Sequence, residues 1–217
     1  MATYLVTGAN RGIGLELVKQ LADRGDTVYA ACRSVEKMPS VAGNVQVIEL
    51  DTADAVSIAS VADRIETLDV QINNAAINVP FETGLDAFDF DDVVDVCRTN
   101  IAGPLMLMQA FADRLRGGKI ANISSGLGSI ELAGANKHVP YSVSKAGLNM
   151  ATKLASNDLP DVVVLAISPG WVQTDMGGAG ATLTPTESVR SMLRVIDDAD
   201  ASASGTFVNY DGKPLPW

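Results

Sequence analysis

The sequence predicts an α/β protein, a three-layer doubly wound fold in which one parallel sheet of seven strands is covered by helices on both faces. Three observations predict it. Short β-prone apolar runs alternate with stretches of helical periodicity along the chain. The first of these runs ends in a cluster of glycines that opens directly into an amphipathic helix. The sixth, Val162 to Ile167, is almost continuously apolar, as expected of a strand buried on both faces. Right-handed crossovers leave few topologies for such a chain, and the doubly wound one is the simplest. With 217 residues and no internal repeat, low-complexity tract or linker, the chain reads as a single domain.

The elements follow in order. Tyr4 to Thr7 is the first strand. From Gly12, Ile13, Leu17, Val18 and Leu21 recur at helical spacing, and Arg24-Gly25 is a stop. Thr27 to Cys32 and Val45 to Leu50 are the second and third strands, and Asp54 caps a helix that runs through about Glu66. Val70 to Asn73 is the fourth strand. A long helical stretch from about Asp89 to Arg116 should kink at Gly103-Pro104. Lys119 to Ser124 is the fifth strand, closed by a Gly/Ser-rich loop, and Tyr141 to about Asn157 is helical. After the sixth strand come a helix over Pro185 to Ile196 and a last strand over Gly205 to Asn209.

Composition removes several functions. Apolar residues make up 47% and charged residues 19%, which excludes a disordered chain. The net charge of −10 argues against nucleic acid or an anionic membrane surface as partner, since both reward a basic face. No apolar stretch reaches the length of about 18 residues needed to span a bilayer, and no leader pattern is visible at the N-terminus. Cys32 and Cys97 form neither a disulfide framework nor a metal pattern, and one histidine, His138, cannot build a His-rich metal site. A reducing, cytoplasmic setting is the expectation.

The loop Thr7-Gly8-Ala9-Asn10-Arg11-Gly12-Ile13-Gly14 points to a bound pyrophosphate. Glycine permits positive φ and close approach of backbone to a phosphate, and the helix that follows offers free N–H groups and the positive end of its dipole. The end of the second strand bears on the ribose. An acid there would hold a 2′-hydroxyl, whereas an arginine accommodates a 2′-phosphate. The strand ends Ala30-Ala31-Cys32-Arg33-Ser34, with no carboxylate, and Arg11 can add a second guanidinium. NADP(H) is therefore expected to be preferred, with NAD(H) as the alternative.

Tyr141-Ser-Val-Ser-Lys145 sets a tyrosine and a lysine four apart at a helix start, so both project from one face. A nearby ammonium favours the phenolate and is expected to lower the tyrosine pKa, making the phenol a workable acid. The strand before this helix ends in Ser124-Ser125, so a hydroxyl can meet the phenol beside the C-terminal edge of the sheet, where ligands bind in this fold.

These motifs together resemble the classical short-chain dehydrogenase/reductase family, whose domain is of the Rossmann type, over almost the whole chain. The family's glycine motif matches Thr7 to Gly14, its adenine-side acid Asp51, and its Asn-Asn-Ala-Gly stretch Asn73-Asn74-Ala75-Ala76, with Ala76 replacing the last glycine. Its helix asparagine matches Asn100, its serine Ser125, and its tyrosine and lysine Tyr141 and Lys145. The turn that holds the nicotinamide carboxamide matches Pro169-Gly170, with Val172 and Thr174 beyond it. The tract Pro169 to Gly178 and the ending Gly205 to Trp217 resemble the short carbonyl reductases of the C-factor and sniffer type. Ser125 and Tyr141 stand 16 positions apart, more than is usual in the family, and the region after Thr174 is short for it.

The resemblance implies reduction of a carbonyl compound, or the reverse oxidation. Tyr141 gives its proton to the carbonyl oxygen as hydride leaves the nicotinamide, and Ser125 orients that oxygen. Lys145 anchors the ribose hydroxyls and tunes Tyr141. Asn100 holds a water that relays protons to Lys145, or is a buried amide that satisfies the helix kink, or both. Ser124 reads as a structural hydroxyl and His138 as a solvated loop residue, with a place at the entrance to the site as the alternative. Apolar walls are expected from Ile77, Phe81, Leu127, Trp171 and Met176, with no cation to clamp a carboxylate or phosphate. Two competing functions are weighed. A cofactor-binding signalling protein of C-factor type would bind without turnover and has no need of the acid. A nucleotide-sugar epimerase shares the tyrosine–lysine pair but needs a larger substrate lobe. The helices over Asp89–Arg116 and Tyr141–Asn157 carry surplus apolar residues, and the small residues Ala146, Gly147, Ala151 and Ala155 permit close packing. A homodimer or homotetramer is expected from them.

Overall fold

Each β-prone run becomes a strand: β1 (Thr3–Thr7), β2 (Thr27–Cys32), β3 (Val45–Glu49), β4 (Val70–Asn73), β5 (Lys119–Ile123), β6 (Val163–Ser168) and β7 (Thr206–Asn209). A computed structural model describes residues 1–79, 87–134 and 138–217. All six neighbouring pairs are parallel, in the order β3-β2-β1-β4-β5-β6-β7. The order reverses between β1 and β4, which opens a crevice at the C-terminal ends of the strands.

Successive side chains of a strand point to opposite faces, and this builds two cores. Val6, Ala121 and Leu165 meet Leu17, Val18 and Leu21 of α1 (Gly12–Asp23) and Val189, Met192 and Leu193 of α6 (Pro185–Asp198). Leu5, Ile120 and Val164 meet Ile58 and Val61 of α2 (Ala55–Ala62), Leu107 and Phe111 of α4 (Gly103–Phe111), and Ala151 of α5 (Val139–Asp158). The helices thus lie on both faces of the sheet, as predicted. Capping boxes start α6, through Thr184 and Glu187, and α3 (Phe90–Cys97), through Asp89 and Asp92.

Two elements differ from expectation. The helix capped by Asp54 ends at Ala62, because Arg64 and Ile65 turn back by bonding the carbonyls of Val61 and Ala62, which sends Ile65 into the core. The long helix is interrupted by a π-helical turn over Arg98–Ala102, just ahead of the expected kink. Pro104 has no N–H for the Asn100 carbonyl, so the regular ladder fails there. Gly103 is required beside it, since a Cβ would lie 2.5 Å from the Thr52 carbonyl oxygen.

The β7 edge is covered by the chain's last residues. Asn209 N donates to Lys213 O and Leu215 N to Phe207 O, and Trp217 stacks on Phe207 at 5.6 Å. Both cysteines are free thiols, and among the described residues no helix is long and apolar enough to cross a membrane.

Candidate active site

The end of β1 and the end of β4 are tied together across the crevice. Thr7 Oγ1 accepts from the N–H groups of Asn74 and Ala75, both at 3.0 Å, and Asn74 Nδ2 donates to Thr7 O at 2.8 Å. Gly8 and Gly12 hold φ of +65° and +53°, and a Cβ on Gly14 would stand 2.1 Å from Gly8 O. The N-cap of α1, Arg11, supplies no side-chain cap, so the first N–H groups of the helix are left for a ligand. Asn10 is half-buried in the loop, and Ile13 packs against the core. Gly12 faces Thr174, whose Cγ2 would be 3.3 Å from a Cβ there. These features fit a dinucleotide pyrophosphate: a glycine-lined cradle, an uncapped helix start and a second loop across from it.

The remaining groups of the cradle lie along the same edge. Gly170 adopts φ +76°. Pro169 O accepts from Ser188 Oγ at 2.7 Å. Val172 is buried and bridges to Leu183. Thr174 Oγ1 accepts from Gly177 N at 3.1 Å. Asp51 accepts from Ala53 N at 2.9 Å through Oδ1. Arg33 is exposed and makes no hydrogen bond or ion pair among the described residues. Arg11 differs from expectation: its guanidinium is paired with Asp175 at 2.8 Å, both side chains well exposed, and is drawn toward the loop after β6 rather than toward Arg33.

At the end of β5, Ser125 opens the short 3₁₀ turn Gly126–Gly128, and its Oγ accepts from Leu127 N at 3.2 Å. The Ser125 side chain also acts on the Tyr141 hydroxyl, favouring its ionised form. Tyr141 stands in the first turn of α5, and the Lys145 ammonium lies 5.4 Å from its ring centroid. Lys145 is 2% exposed, and its Nζ donates to Ile123 O at 2.7 Å. Burial brings Lys145 down to about 7. Burial also pushes Tyr141 up to about 12, opposed by the Ser125 side chain. The expectation that Lys145 would lower the tyrosine pKa is therefore corrected. A lysine whose own charge is disfavoured by burial, and whose head is spent on a carbonyl, does not hold a phenolate.

Asn100 is fully buried in the π-helical turn. Its Nδ2 donates to Ile77 O at 2.9 Å and Ser144 Oγ at 3.0 Å, while its Oδ1 accepts from Ile77 N at 2.9 Å. Ser144 Oγ in turn donates to Tyr141 O at 2.7 Å. Both amide protons are taken in the structural role, one of the two that were expected. The side chain fastens the segment after β4 to the first turn of α5. His138 is half-buried at the start of α5, with Nδ1 3.4 Å from Asn78 Nδ2, rather than a solvated loop residue. Of the expected walls, Ile77 and Met176 are half-buried, Leu127 and Trp171 are 40% and 56% exposed, and Phe81 falls outside the described residues. Trp171 Nε1 donates to Gly177 O at 2.8 Å, and Leu183 N to Trp171 O at 3.0 Å, which pins the base of this loop.

The sequence reading missed three buried polar residues. Ser144 and Asn149 on α5 and Asn122 on β5 all bond side chains next to the site. Each lies on the inner face of its element, a polar side chain at an apolar position of the periodicity. Two surface cavities, of about 420 and 560 Å³, lie beside the ends of α5 and α6, and neither is lined by Ser125, Tyr141 or Lys145.

A glycine loop at the sheet's reversal point and a serine–tyrosine–lysine cluster on the same edge make up the candidate site. The family model for short chain dehydrogenase matches residues 2–182. The chain belongs to the short-chain dehydrogenase family. This short-chain dehydrogenase is 41% identical over 155 residues to C-signal of Myxococcus xanthus, covering 69% of this chain and 93% of that one. Its fold superposes on the carbonyl reductase Sniffer of D. melanogaster with a TM-score of 0.93, at 31% identity and full coverage of both chains. A carbonyl reductase from chicken fatty liver, solved with NADPH bound, has a TM-score of 0.88 at 33% identity, covering 100% of this chain and 99% of that one. The expected family, and within it the likeness to C-factor and sniffer-type members, is thus found, and the chain stands among oxidoreductases.

Proposed function

We propose that this short-chain dehydrogenase reduces neutral carbonyl compounds with NADPH. The observation that carries the reading is the gathering of Ser125, after β5, and Tyr141, in the first turn of α5, with Lys145 packed against the phenol ring. The reduced nicotinamide, when bound, supplies hydride. Ser125 holds the carbonyl oxygen and Tyr141 protonates it. A phenol pushed up to about 12 is fully protonated at neutral pH, so the acid is present in the form that donates. Lys145 leaves Ile123 O to hold the ribose hydroxyls. Asn100 keeps Ile77 and the start of α5 in place around them.

Gly8, Asn10, Gly12, Ile13 and Gly14 cradle the pyrophosphate, Asp51 and Asn74-Ala75 flank the adenosine, and Pro169, Gly170, Val172 and Thr174 hold the carboxamide. Arg33 is free to meet a 2′-phosphate, and Arg11 joins only if it leaves Asp175, so the preference for NADP(H) over NAD(H) rests on Arg33 first. The carbonyl reductase from chicken fatty liver, solved with NADPH, supports this choice.

A homodimer or homotetramer is supported by Leu105, Met106, Val143, Met150 and Leu154, exposed apolar residues of α4 and α5. Three of the four small residues pack within the chain. Gly147 packs on Ile101, where a Cβ would meet Cδ1 at 2.5 Å, and Ala151 and Ala155 face the chain's own core.

The second reading, a nicotinamide-binding signalling protein with little turnover, is favoured by the identity to C-signal. The deciding experiment is NADPH oxidation at 340 nm against aldehydes, ketones, quinones and diketones, with neutral, carboxylated and phosphorylated members of similar size. Turnover of the neutral members is expected. Binding of NADPH with no turnover across the panel would favour the second reading. A preference for the anionic members above about tenfold, or about 1.4 kcal/mol, would contradict the apolar walls.

A further inference from the structure

Helix α5 grips the turn that carries Ser125 from two sides. Ser124 Oγ donates to Asn149 Oδ1 at 2.6 Å, and Asn149 Nδ2 donates to Gly128 O at 3.1 Å. One bond anchors the residue before Ser125, and the other anchors the residue that closes its 3₁₀ turn. The turn is also pressed against the helix, since a Cβ on Gly128 would stand 2.8 Å from the Lys145 carbonyl carbon. Ser124 and Asn149 are 1% and 3% exposed, so water does not compete for either bond. Ser125 itself adds the bond its carbonyl accepts from Gly128 N, the bond its Oγ accepts from Leu127 N, and its contact with Tyr141. The position of its hydroxyl is therefore set by the turn, and the turn is held by Asn149.

We propose that Asn149 is a positioning residue for Ser125: by accepting from Ser124 and donating to Gly128 it fixes the Ser125 hydroxyl against the Tyr141 phenol. Tyr141, Lys145 and Asn149 are spaced four apart, so one face of α5 carries the phenol, the lysine and the clamp on the serine. The phenol and the hydroxyl then share one rigid support. The clamp's effect on turnover rests on the reading of Ser125 and Tyr141 as the groups that meet the carbonyl. Its effect on how Ser125 meets Tyr141 does not.

The test is a double-mutant cycle. Asn149→Ala and Ser124→Ala are each made alone and with Ser125→Ala. In single variants kcat should fall roughly tenfold to a hundredfold, the range that misplacing a reacting group produces. NADPH binding, followed by fluorescence, should stay unchanged. With Ser125→Ala already present, neither change should lower kcat further. In parallel, the chain is labelled with ¹³Cζ-tyrosine and the Tyr141 resonance is assigned through Tyr141→Phe. That resonance should move in Asn149→Ala as it does in Ser125→Ala, with no added movement in the double variant. Additive losses of kcat, or an unmoved Tyr141 resonance, overturn the proposal. A wild-type chain that turns over no carbonyl compound refutes the proposed function alone, because the resonance still judges the clamp. Should Asn149→Ala fail to fold, Ser124→Ala carries the same cycle at the cost of one hydroxyl.

Discussion

Lys145 should make the protein's stability depend on pH in a direction that its replacement abolishes. Burial lowers Lys145 from its ordinary 10.5 to about 7. Below pH 7 the amine is charged in the folded and unfolded chain alike, so the cost of burying the ammonium is fully present. Between pH 7 and 10.5 the unfolded chain binds a proton that the folded chain lacks, and stability rises with pH. Above 10.5 both are neutral and the penalty is gone. At 1.36 kcal/mol per pH unit the whole window amounts to about 5 kcal/mol. From pH 6 to 9.5 it amounts to about 3 kcal/mol, and this range stays below the titration of unfolded tyrosine. The assay is urea unfolding of wild type and Lys145→Met at several pH values. The comparison cancels every group the two share, and the lost bond to Ile123 O adds only a constant. With a urea slope of about 1–3 kcal/mol per molar, the wild-type midpoint should gain about 1 M or more on the variant over this range. Midpoints that run parallel would show that Lys145 is not a buried amine of lowered pKa, and the account of its state would fail.

Two other outcomes are expected. Cys32→Asp should reverse the cofactor preference, by repelling a 2′-phosphate next to Arg33 and offering a carboxylate to a 2′-hydroxyl; a charged hydrogen bond contributes about 1.5–3 kcal/mol, on the order of 10- to 150-fold. Equal Michaelis constants of the wild type for NADPH and NADH would count against it. Light scattering at micromolar concentration should give a multiple of 22.7 kDa, and Leu154→Glu on the exposed face of α5 should lower it; a wild type of monomer mass would remove the oligomer.

Much of the fold was legible because strands and turns here are local. The bounds of β2 and β4 coincide with the expected ones, β6 is shifted by one residue at both ends, and the other strands differ by a residue at one end. The glycine loop and the Ser125–Tyr141–Lys145 set were legible because each follows a strand end, β1 and β5, on the same edge of the sheet. What escaped depends on distance or depth. The pairing of Arg11 with Asp175 joins residues 164 positions apart. The raised pKa of Tyr141 follows from burial, which spacing does not reveal. Asn149 and Ser144 look like surface residues of a helix until α5 is packed against the β5 turn and the π-helical turn. Gly147 suggested a surface contact, and its neighbour is Ile101 of the same chain.

The central claim is that the Tyr141 phenol is the proton donor, while Lys145 and the glycine loop grip the cofactor. Tyr141→Phe removes that proton and leaves the ring, the helix and Lys145. Its kcat for an aromatic aldehyde and its NADPH dissociation constant, measured side by side, test the claim most directly. General acid catalysis contributes roughly 10²- to 10⁴-fold, so kcat should fall by that factor while NADPH binds as in the wild type. More than about a tenth of wild-type kcat retained, with binding intact, would contradict the assignment, since that loss is smaller than general acid catalysis supplies.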